Sequence, residues 1–254
     1  MYSEKYEITD HVYEIRSFYG DIHKMCCDYR TDKPTETVIE ITEENISYER
    51  SKAMREAERE GVPFHELPSA YLETLAVYRK LATHATSRNM FLFHCSTVAV
   101  DGVAYSFAAK SGTGKSTHTA LWRKVFGDRA VMINDDKPII GIVDGVAKVY
   151  GTPWNGKHGL GENTSAPLKA ICFLTRGEKN RIRRINDNSV IPLLLNQTFR
   201  PREPVALKKT LSLLDELTRT VEFYILECNM EEEAAWVSYN GMNGINQINE
   251  INQG

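Results

Sequence analysis

The sequence predicts an α/β fold with a smaller α+β subdomain at its N-terminal end. Two observations carry this prediction. From residue 90 onward, short β-branched and aromatic runs alternate with helical patterns, which is typical of α/β domains. Before that point, two strand-like alternations precede two helical stretches. We therefore expect an N-terminal α+β subdomain over residues 1–88, an α/β domain over residues 89–240, and an Asn-rich tail over residues 241–254.

Composition indicates an ordinary globular protein and excludes some partners. Of the 254 residues, 42% are hydrophobic and 26% are charged, which is enough apolar material for a sizeable core. The net charge of −3 gives no support for nucleic acid or an anionic membrane as a partner. Five cysteines lack zinc-site spacing, and the chain begins with the polar run MYSEKYEITD. These features lead us to expect a cytoplasmic protein with free thiols.

The N-terminal elements follow from hydrophobic periodicity. Residues 11–19 alternate apolar and polar side chains, which predicts a strand. Residues 37–48 alternate in the same way, and we expect a hairpin there that turns near Glu44 and Asn45. Residues 51–60 are charged and contain alanine, which suits a helix that ends before Gly61. A longer helix is expected to begin at Ser69.

The larger domain is predicted element by element. An apolar stretch over residues 90–100 and a strand over residues 103–108 form a hairpin that turns at Asp101-Gly102. Further strands are expected over residues 130–133, 139–143, 147–150, 168–174, 182–185 and 221–226. Helices are expected over residues 115–126, 190–199, 205–217 and 230–238. A polar loop with four glycines over residues 151–166 is long enough to be functional.

The run Ala109-Lys-Ser-Gly-Thr-Gly-Lys-Ser116 matches the Walker A pattern except for alanine at its first position. Glycines allow the backbone N–H groups to curl around a phosphate, and the following helix adds the partial positive charge of its N-terminus. Lys115 supplies a cation for the β- and γ-phosphates, and the Ser116 hydroxyl suits Mg²⁺. The alternative is a glycine-rich turn without a ligand.

Asp135 and Asp136 close the apolar strand that follows. One carboxylate is enough to hold Mg²⁺ through water, whereas two permit a second task. One can face the metal while the other accepts the proton of an attacking hydroxyl. The alternative is a charged turn before Pro138. No N-K-x-D segment is present, which argues against a guanine-specific switch protein.

The run FHCSTVAVDGVAYSFAAKSGTGKS, followed by a strand that ends in Asp-Asp, resembles the catalytic domain of HPr kinase/phosphorylase. His94 precedes Ala109 by 15 residues, which is the spacing in that family. The resemblance implies a P-loop kinase core with mixed β-sheets, related to phosphoenolpyruvate carboxykinase. Thr117 stands where the family usually has Glu, and the family's later arginine-glycine signature is not visible. The chain is therefore more similar to divergent members, some of which phosphorylate serine on a precursor peptide.

The resemblance also implies roles for individual residues. Asp135 is the base that takes the hydroxyl proton, Asp136 joins Ser116 at the Mg²⁺ ion, and His94 lies near the phosphates. The alternative for His94 is a buried histidine hydrogen-bonded between strands. The implied cofactors are ATP and Mg²⁺, and family members often form homo-oligomers. The residues expected to bind the nucleotide are Ser111, Gly112, Thr113, Gly114, Lys115, Ser116 and Thr117.

Three further residues are candidates with evident alternatives. Lys157 and His158 lie in the glycine-rich polar loop, where a cation could neutralise charge on a transferring phosphoryl group. Arg200 stands beside Pro201, where it could clamp a phosphate of the substrate, and His158 is a second candidate for that clamp. The alternatives are a solvated loop for Lys157 and His158, and a surface ion pair or a helix C-cap contact for Arg200.

Together these observations predict an ATP- and Mg²⁺-dependent kinase. It would transfer the γ-phosphate to a hydroxyl, most simply a serine, of a peptide, protein or small molecule. Two alternatives stay open at this point. One is a carboxykinase-like phosphoryl-transfer enzyme that acts on a small acid, and the other is a nucleotide-binding regulator without catalysis.

Overall fold

A computed structural model describes residues 1–186 and 189–245 of the chain. The chain divides into two compact units, Met1–Ser87 and Arg88–Gly254. No helix in the described ranges is both long enough and apolar enough to cross a membrane.

The first unit contains a three-stranded sheet and three helices. Strand β2 pairs antiparallel with β1 on one side and parallel with β3 on the other. The core of this unit includes the buried residues Tyr6, Ile15, Leu72 and Leu81. The strands are β1 (Tyr2–Glu7), β2 (Val12–Ser17) and β3 (Thr37–Glu40). The helices are α1 (Asp21–Met25), α2 (Glu43–Glu60) and α3 (Ser69–Ala85).

The predicted hairpin over residues 37–48 is wrong. Strand β3 ends at Glu40 and helix α2 begins at Glu43. The Asn45 side chain accepts a hydrogen bond of 3.0 Å from the backbone N–H of Thr42, so a capping interaction starts a helix where we expected a turn. Strand β1 is absent from the prediction, because its sequence carries little hydrophobic alternation and only one of its six residues is buried.

The second unit contains nine strands and four helices among the described residues. The strands are β4 (Met90–Leu92), β5 (Ser96–Val100), β6 (Val103–Ala108), β7 (Ala130–Asn134), β8 (Ile139–Val143), β9 (Val146–Tyr150), β10 (Ser165–Arg176), β11 (Arg181–Ile185) and β12 (Glu222–Cys228). The helices are α4 (Lys115–Phe126), α5 (Val190–Gln197), α6 (Pro204–Thr220) and α7 (Glu233–Met242).

The sheet of this unit is mixed, as the resemblance implied. Strands β12, β10 and β6 are parallel neighbours. On one side β11 pairs antiparallel with β12, and on the other side β5 pairs antiparallel with both β6 and β7. The first residues of the long strand β10 pair antiparallel with β9, and β8 pairs antiparallel with both β9 and β4. Strand β10 therefore belongs to two curved parts of one sheet. The expectation of an α/β fold with mixed sheets is confirmed.

Helices cover the sheet of the second unit on both faces. Alternate residues of β6 show this arrangement. Tyr105 and Phe107 pack with Trp122 of α4, whereas Ala104 and Ala108 pack in the apolar cluster that includes Leu213 of α6. Because side chains alternate along a strand, each residue of β5 and β6 can be assigned to the α4 face or to the α6 face.

The element boundaries differ in detail from those predicted. Strand β10 begins at Ser165, so the long polar loop ends two residues earlier than expected. The predicted apolar stretch over residues 90–100 splits into β4 and β5. Helix α7 runs to Met242, which is inside the predicted Asn-rich tail, and residues 246–254 of that tail lie outside the described residues.

Candidate functional site

Residues 109–114 form the loop that joins strand β6 to helix α4. Gly112 and Gly114 have φ angles of 77° and 122°, a region that side chains other than glycine rarely adopt. Helix α4 begins at Lys115, and the loop therefore delivers its backbone directly into a helix N-terminus. Ser111 and Thr117 are exposed, while Thr113 and Ser116 are half-buried. This arrangement is suited to an anion.

Lys115 lies beneath this loop. The side chain is buried, and Nζ donates a hydrogen bond of 3.1 Å to the carbonyl oxygen of Ala109. Burial lowers the pKa of Lys115, while the charges of Asp135 and Asp136 act in the opposite direction. The lysine that the motif predicted therefore lies inside the curved loop, close enough to Asp135 and Asp136 for their charges to affect its pKa.

Arg176, the last residue of strand β10, holds the same loop from outside. Its guanidinium donates to the carbonyl oxygens of Gly112 and Thr113, the latter at 3.3 Å. Because Arg176 binds these two carbonyl oxygens on the outer side of the loop, the backbone N–H groups of the loop can point to its inner side. No sequence signal indicated Arg176, because nothing in the sequence pairs β10 with the loop.

Asp135 follows strand β7 and is buried. One carboxylate oxygen, Oδ1, accepts a hydrogen bond of 2.6 Å from the Ser96 hydroxyl on the neighbouring strand β5. The Ser96 hydroxyl also lies 2.8 Å from the Thr119 hydroxyl of α4. Asp135 is thus joined through two side chains to the helix that begins with Lys115. No sequence signal indicated Ser96 or Thr119, since both lie in runs typical of a buried strand and a helix.

Asp136 faces His94. His94 Nε2 lies 3.1 Å from Asp136 Oδ1, and the Lys137 ammonium contacts Oδ2. Burial raises the pKa of Asp136, but the hydrogen bond from His94 and the charge of Lys137 outweigh it and lower the pKa to about 2. Asp136 is therefore a carboxylate at neutral pH. His94 is partly exposed, and its backbone N–H donates to Gln197.

Asn134 fixes the backbone that carries both acids. Its side-chain oxygen accepts the N–H groups of Asp136 and Lys137 at 2.9 and 2.6 Å. Its amide donates to Asn155 and Thr152 in the polar loop, at 2.7 Å to the Asn155 oxygen. One buried amide therefore joins the end of β7 to the polar loop, a role that the sequence did not indicate.

The polar loop closes against the acid pair. A Cβ atom placed on Gly156 would lie 3.1 Å from Cβ of Asp136, so the loop backbone packs directly on that residue. At Gly151, a Cβ atom would lie 1.9 Å from the carbonyl oxygen of Glu162, because the two arms of the loop touch there. Lys157 and His158 follow Gly156 and are both exposed.

Arg200 is carried away from His94. The chain after α5 runs antiparallel to residues 92–94, with the N–H of His94 bonded to Gln197 and the N–H of Phe199 bonded to Leu92. Each further residue therefore moves away from His94, and Arg200 is exposed. No hydrogen bond or ion pair within the described ranges brings Arg200 to the acids.

The oxygen donors of the site suit a hard divalent cation. Ser116 and the two aspartates offer hydroxyl and carboxylate oxygens, which are the ligands that Mg²⁺ prefers. No cluster of three or more His, Cys, Asp or Glu side chains that could hold a metal occurs in the described part of the chain. The usual partners of a nucleotide-bound Mg²⁺ include phosphate oxygens, so this donor set fits a metal that arrives with a nucleotide.

Comparisons with known proteins assign no family to this chain. No protein-family model matches the chain, and no curated protein matches it. Among solved structures, the chain is similar to the Hpr(Ser) kinase/phosphatase from Coxiella burnetii, with a TM-score of 0.29 and 13% sequence identity. The alignment covers 50% of this chain and 97% of that one. At that TM-score the likeness identifies neither a family nor an activity for this chain.

Proposed function

We propose that this protein is an ATP- and Mg²⁺-dependent kinase that transfers the γ-phosphate to a hydroxyl group, in the first instance a serine of a peptide. One observation carries the proposal. Asp135, one of the two adjacent carboxylates, is connected by the Ser96 and Thr119 hydroxyls to the helix that starts at the glycine loop and Lys115. A phosphate-binding loop and an acid pair are therefore built as one unit.

The loop and helix would bind the donor phosphates. Backbone N–H groups of residues 111–117 and the Lys115 ammonium together favour a polyanion. Arg176 supports this role because it engages the outward carbonyls of the loop. The nucleotide is the partner that this set of groups fits best.

The two acids would divide the remaining tasks. Mg²⁺, when bound with the nucleotide, would neutralise charge on the phosphates, and Ser116 and Asp136 would hold it. Asp135 would accept the hydroxyl proton of the acceptor, since Ser96 occupies Oδ1 and leaves Oδ2 to receive it. Lys157 would stabilise the transferring phosphoryl group, His94 would orient Asp136, and His158 would contact the acceptor.

The direct test combines nucleotide binding with transfer. Titration calorimetry with Mg-ATP should detect binding, and radiolabelled γ-phosphate should appear on members of a panel of serine peptides. Lys115→Ala should weaken Mg-ATP binding by about 100-fold, because it removes a charged hydrogen-bond donor. Lys110→Ala removes an exposed lysine of the same loop and should leave binding unchanged. If Lys115→Ala binds as tightly as the wild type, the phosphate-binding role is wrong.

The acids are tested by asparagine substitutions. Asp135→Asn should keep Mg-ATP affinity and lower transfer by about 100-fold or more, as loss of a general base does. Asp136→Asn should raise the Mg²⁺ concentration required for half-maximal transfer. The reverse pattern would exchange the two roles. Binding without transfer in the wild type, over the whole panel, would instead favour a nucleotide-binding regulator.

A further inference from the structure

Two buried hydroxyls lie between the helix of the glycine loop and Asp135. Ser96 is on strand β5 and is completely buried, and Thr119 on α4 is buried beside it. Ser96 shares the face of β5 on which Val98 packs with Trp122, so its side chain is directed at α4. Thr119 lies four residues after Lys115, on the same side of that helix.

Counting protons fixes the direction of this chain of hydrogen bonds. The Ser96 hydroxyl has one proton, which it donates to the Asp135 carboxylate at 2.6 Å. The contact of 2.8 Å between Ser96 and Thr119 must therefore use the Thr119 proton. The contacts of the Thr119 oxygen with the carbonyl oxygens of Lys115 and Ser116 are longer, at 3.3 and 3.2 Å. The order is Thr119 to Ser96 to Asp135.

We propose that Ser96 is a positioning residue for Asp135, and that Thr119 fixes the direction of the Ser96 hydroxyl. This inference rests on the proposed function. With Oδ1 held by Ser96, the Asp135 carboxylate has one defined rotation, and Oδ2 is the oxygen that receives a proton.

In the transfer step, the acceptor O–H bond breaks and its proton moves to Asp135 Oδ2. The acceptor oxygen bonds to the γ-phosphorus as the bond from that phosphorus to the β,γ-bridging oxygen breaks, and ADP leaves. Ser96 touches neither phosphate nor acceptor in this scheme and acts only through Asp135. The connection also means that a shift of α4 is transmitted to the base, because Thr119 is part of that helix.

The test uses water as the acceptor, so that no peptide has to be identified first. Phosphate release from saturating Mg-ATP gives kcat, and titration with Mg-ATP and with Mg²⁺ gives the two affinities. Ser96→Ala should lower kcat by about tenfold or more, as a misplaced catalytic group does, and leave both affinities within about twofold of the wild type. Thr119→Val, which removes a hydroxyl at constant shape, should lower kcat in the same direction, and Thr119→Ser should restore it.

Ser106→Ala is the matched control. Ser106 is equally buried on the neighbouring strand β6, but its hydroxyl lies 2.7 Å from Thr97 on the opposite face of the sheet. Loss of a buried serine hydroxyl should therefore lower the thermal midpoint in both serine variants, whereas only Ser96→Ala should lower kcat.

Three outcomes would overturn the assignment. Equal kcat for Ser96→Ala and Ser106→Ala would mean that Ser96 is only structural. A loss in Ser96→Ala that excess Mg²⁺ restores would place Asp135 at the metal instead. A wild type that binds no Mg-ATP, or that binds it and neither releases phosphate nor phosphorylates any peptide of the panel, would overturn the proposed function and this assignment with it, whereas the first two outcomes leave the proposed function standing.

Discussion

Two carboxylates of this protein have cationic partners: Glu49 is buried, whereas Asp136 is half-buried beside the polar loop. Glu49 of α2 has a side chain that is only 2% exposed. Its two carboxylate oxygens accept hydrogen bonds from two of the three guanidinium nitrogens of Arg79 on α3, the second at 3.0 Å. Asp136 has two different partners, His94 and Lys137, and its side chain is 21% exposed.

In the closed pair, Glu49–Arg79, the carboxylate is shielded from solvent, whereas the carboxylate of Asp136 is open to it. The carboxylate of Glu49 is saturated by a fork-shaped partner, so it can join two helices but can bind nothing else. Asp136 follows the end of strand β7 beside the polar loop, and a bound metal ion could displace its partners His94 and Lys137. We therefore expect Glu49 to matter for stability and Asp136 for transfer.

The largest expected effect concerns the closed pair. Arg79→Ala leaves the Glu49 carboxylate buried without its guanidinium and should lower the free energy of unfolding by about 3 kcal/mol. Glu49→Gln leaves an arginine that is 22% exposed, so its cost should be smaller, about 1 kcal/mol. Urea unfolding gives both values, and Mg-ATP affinity should be unchanged. A loss of nucleotide affinity in either variant would show that the Glu49–Arg79 pair has more than a structural role.

The next prediction uses two glycines of nearly equal conformation. Gly112 in the loop over residues 109–114 has a φ of 77° and Gly102 in the β5–β6 turn has a φ of 79°, and at both positions the space that a Cβ atom would occupy is open. Alanine should cost roughly 1 kcal/mol of stability at either position, because the strain is the same. Only Gly112→Ala should weaken Mg-ATP binding, measured by calorimetry. Equal affinities would show that the loop does not bind phosphate.

A third prediction concerns Arg176, which contacts the loop over residues 109–114. Arg176→Ala removes the donors to Gly112 and Thr113 and should weaken Mg-ATP binding about fivefold, which corresponds to about 1 kcal/mol. Arg183→Ala, an exposed arginine of the next strand, is the control and should bind normally. If the two variants bind alike, Arg176 has no part in shaping the loop.

The smallest expected effect is a pH dependence in the first unit. His23 is buried between the Tyr6 and Ser17 hydroxyls, at 2.7 and 2.8 Å, and burial lowers its pKa. The unfolded chain therefore binds a proton more readily, and stability should fall as the pH falls below the ordinary histidine pKa of about 6.5. Urea midpoints measured between pH 7 and pH 5 should decline less in His23→Phe. An equal decline would assign the effect to other groups.

Local sequence signals predicted those parts of the fold that local chemistry decides. The Asp101-Gly102 turn, helix α4 after the glycine loop and the strand before Asp135 are all present. The hairpin predicted at Glu44 failed because hydrophobic alternation over residues 37–48 also fits a short strand followed by a capped helix. The dual pairing of β10 could not be read from the sequence, since register depends on partners distant in the chain.

The candidate site shows the same division. The glycine loop, Lys115 and the acid pair were predicted, and the structure connects them through side chains that carry no motif. Ser96, Thr119, Asn134 and Arg176 are ordinary residue types, and only strand pairing gives them their neighbours. The roles of Lys157, His158 and Arg200 stay predictions. The first two are exposed and follow Gly156, which packs on Asp136, and the third lies on a segment that runs away from His94.

The contact between Gly151 and Glu162 has a consequence for redesign. With no room for a side chain at that neck, the arms of the polar loop are joined whatever its tip contains. His158, which is exposed at that tip, can therefore be exchanged for any other residue, while the backbone on either side stays fixed against the acids. A new acceptor preference should be selectable at this one position, with no redesign of the sheet.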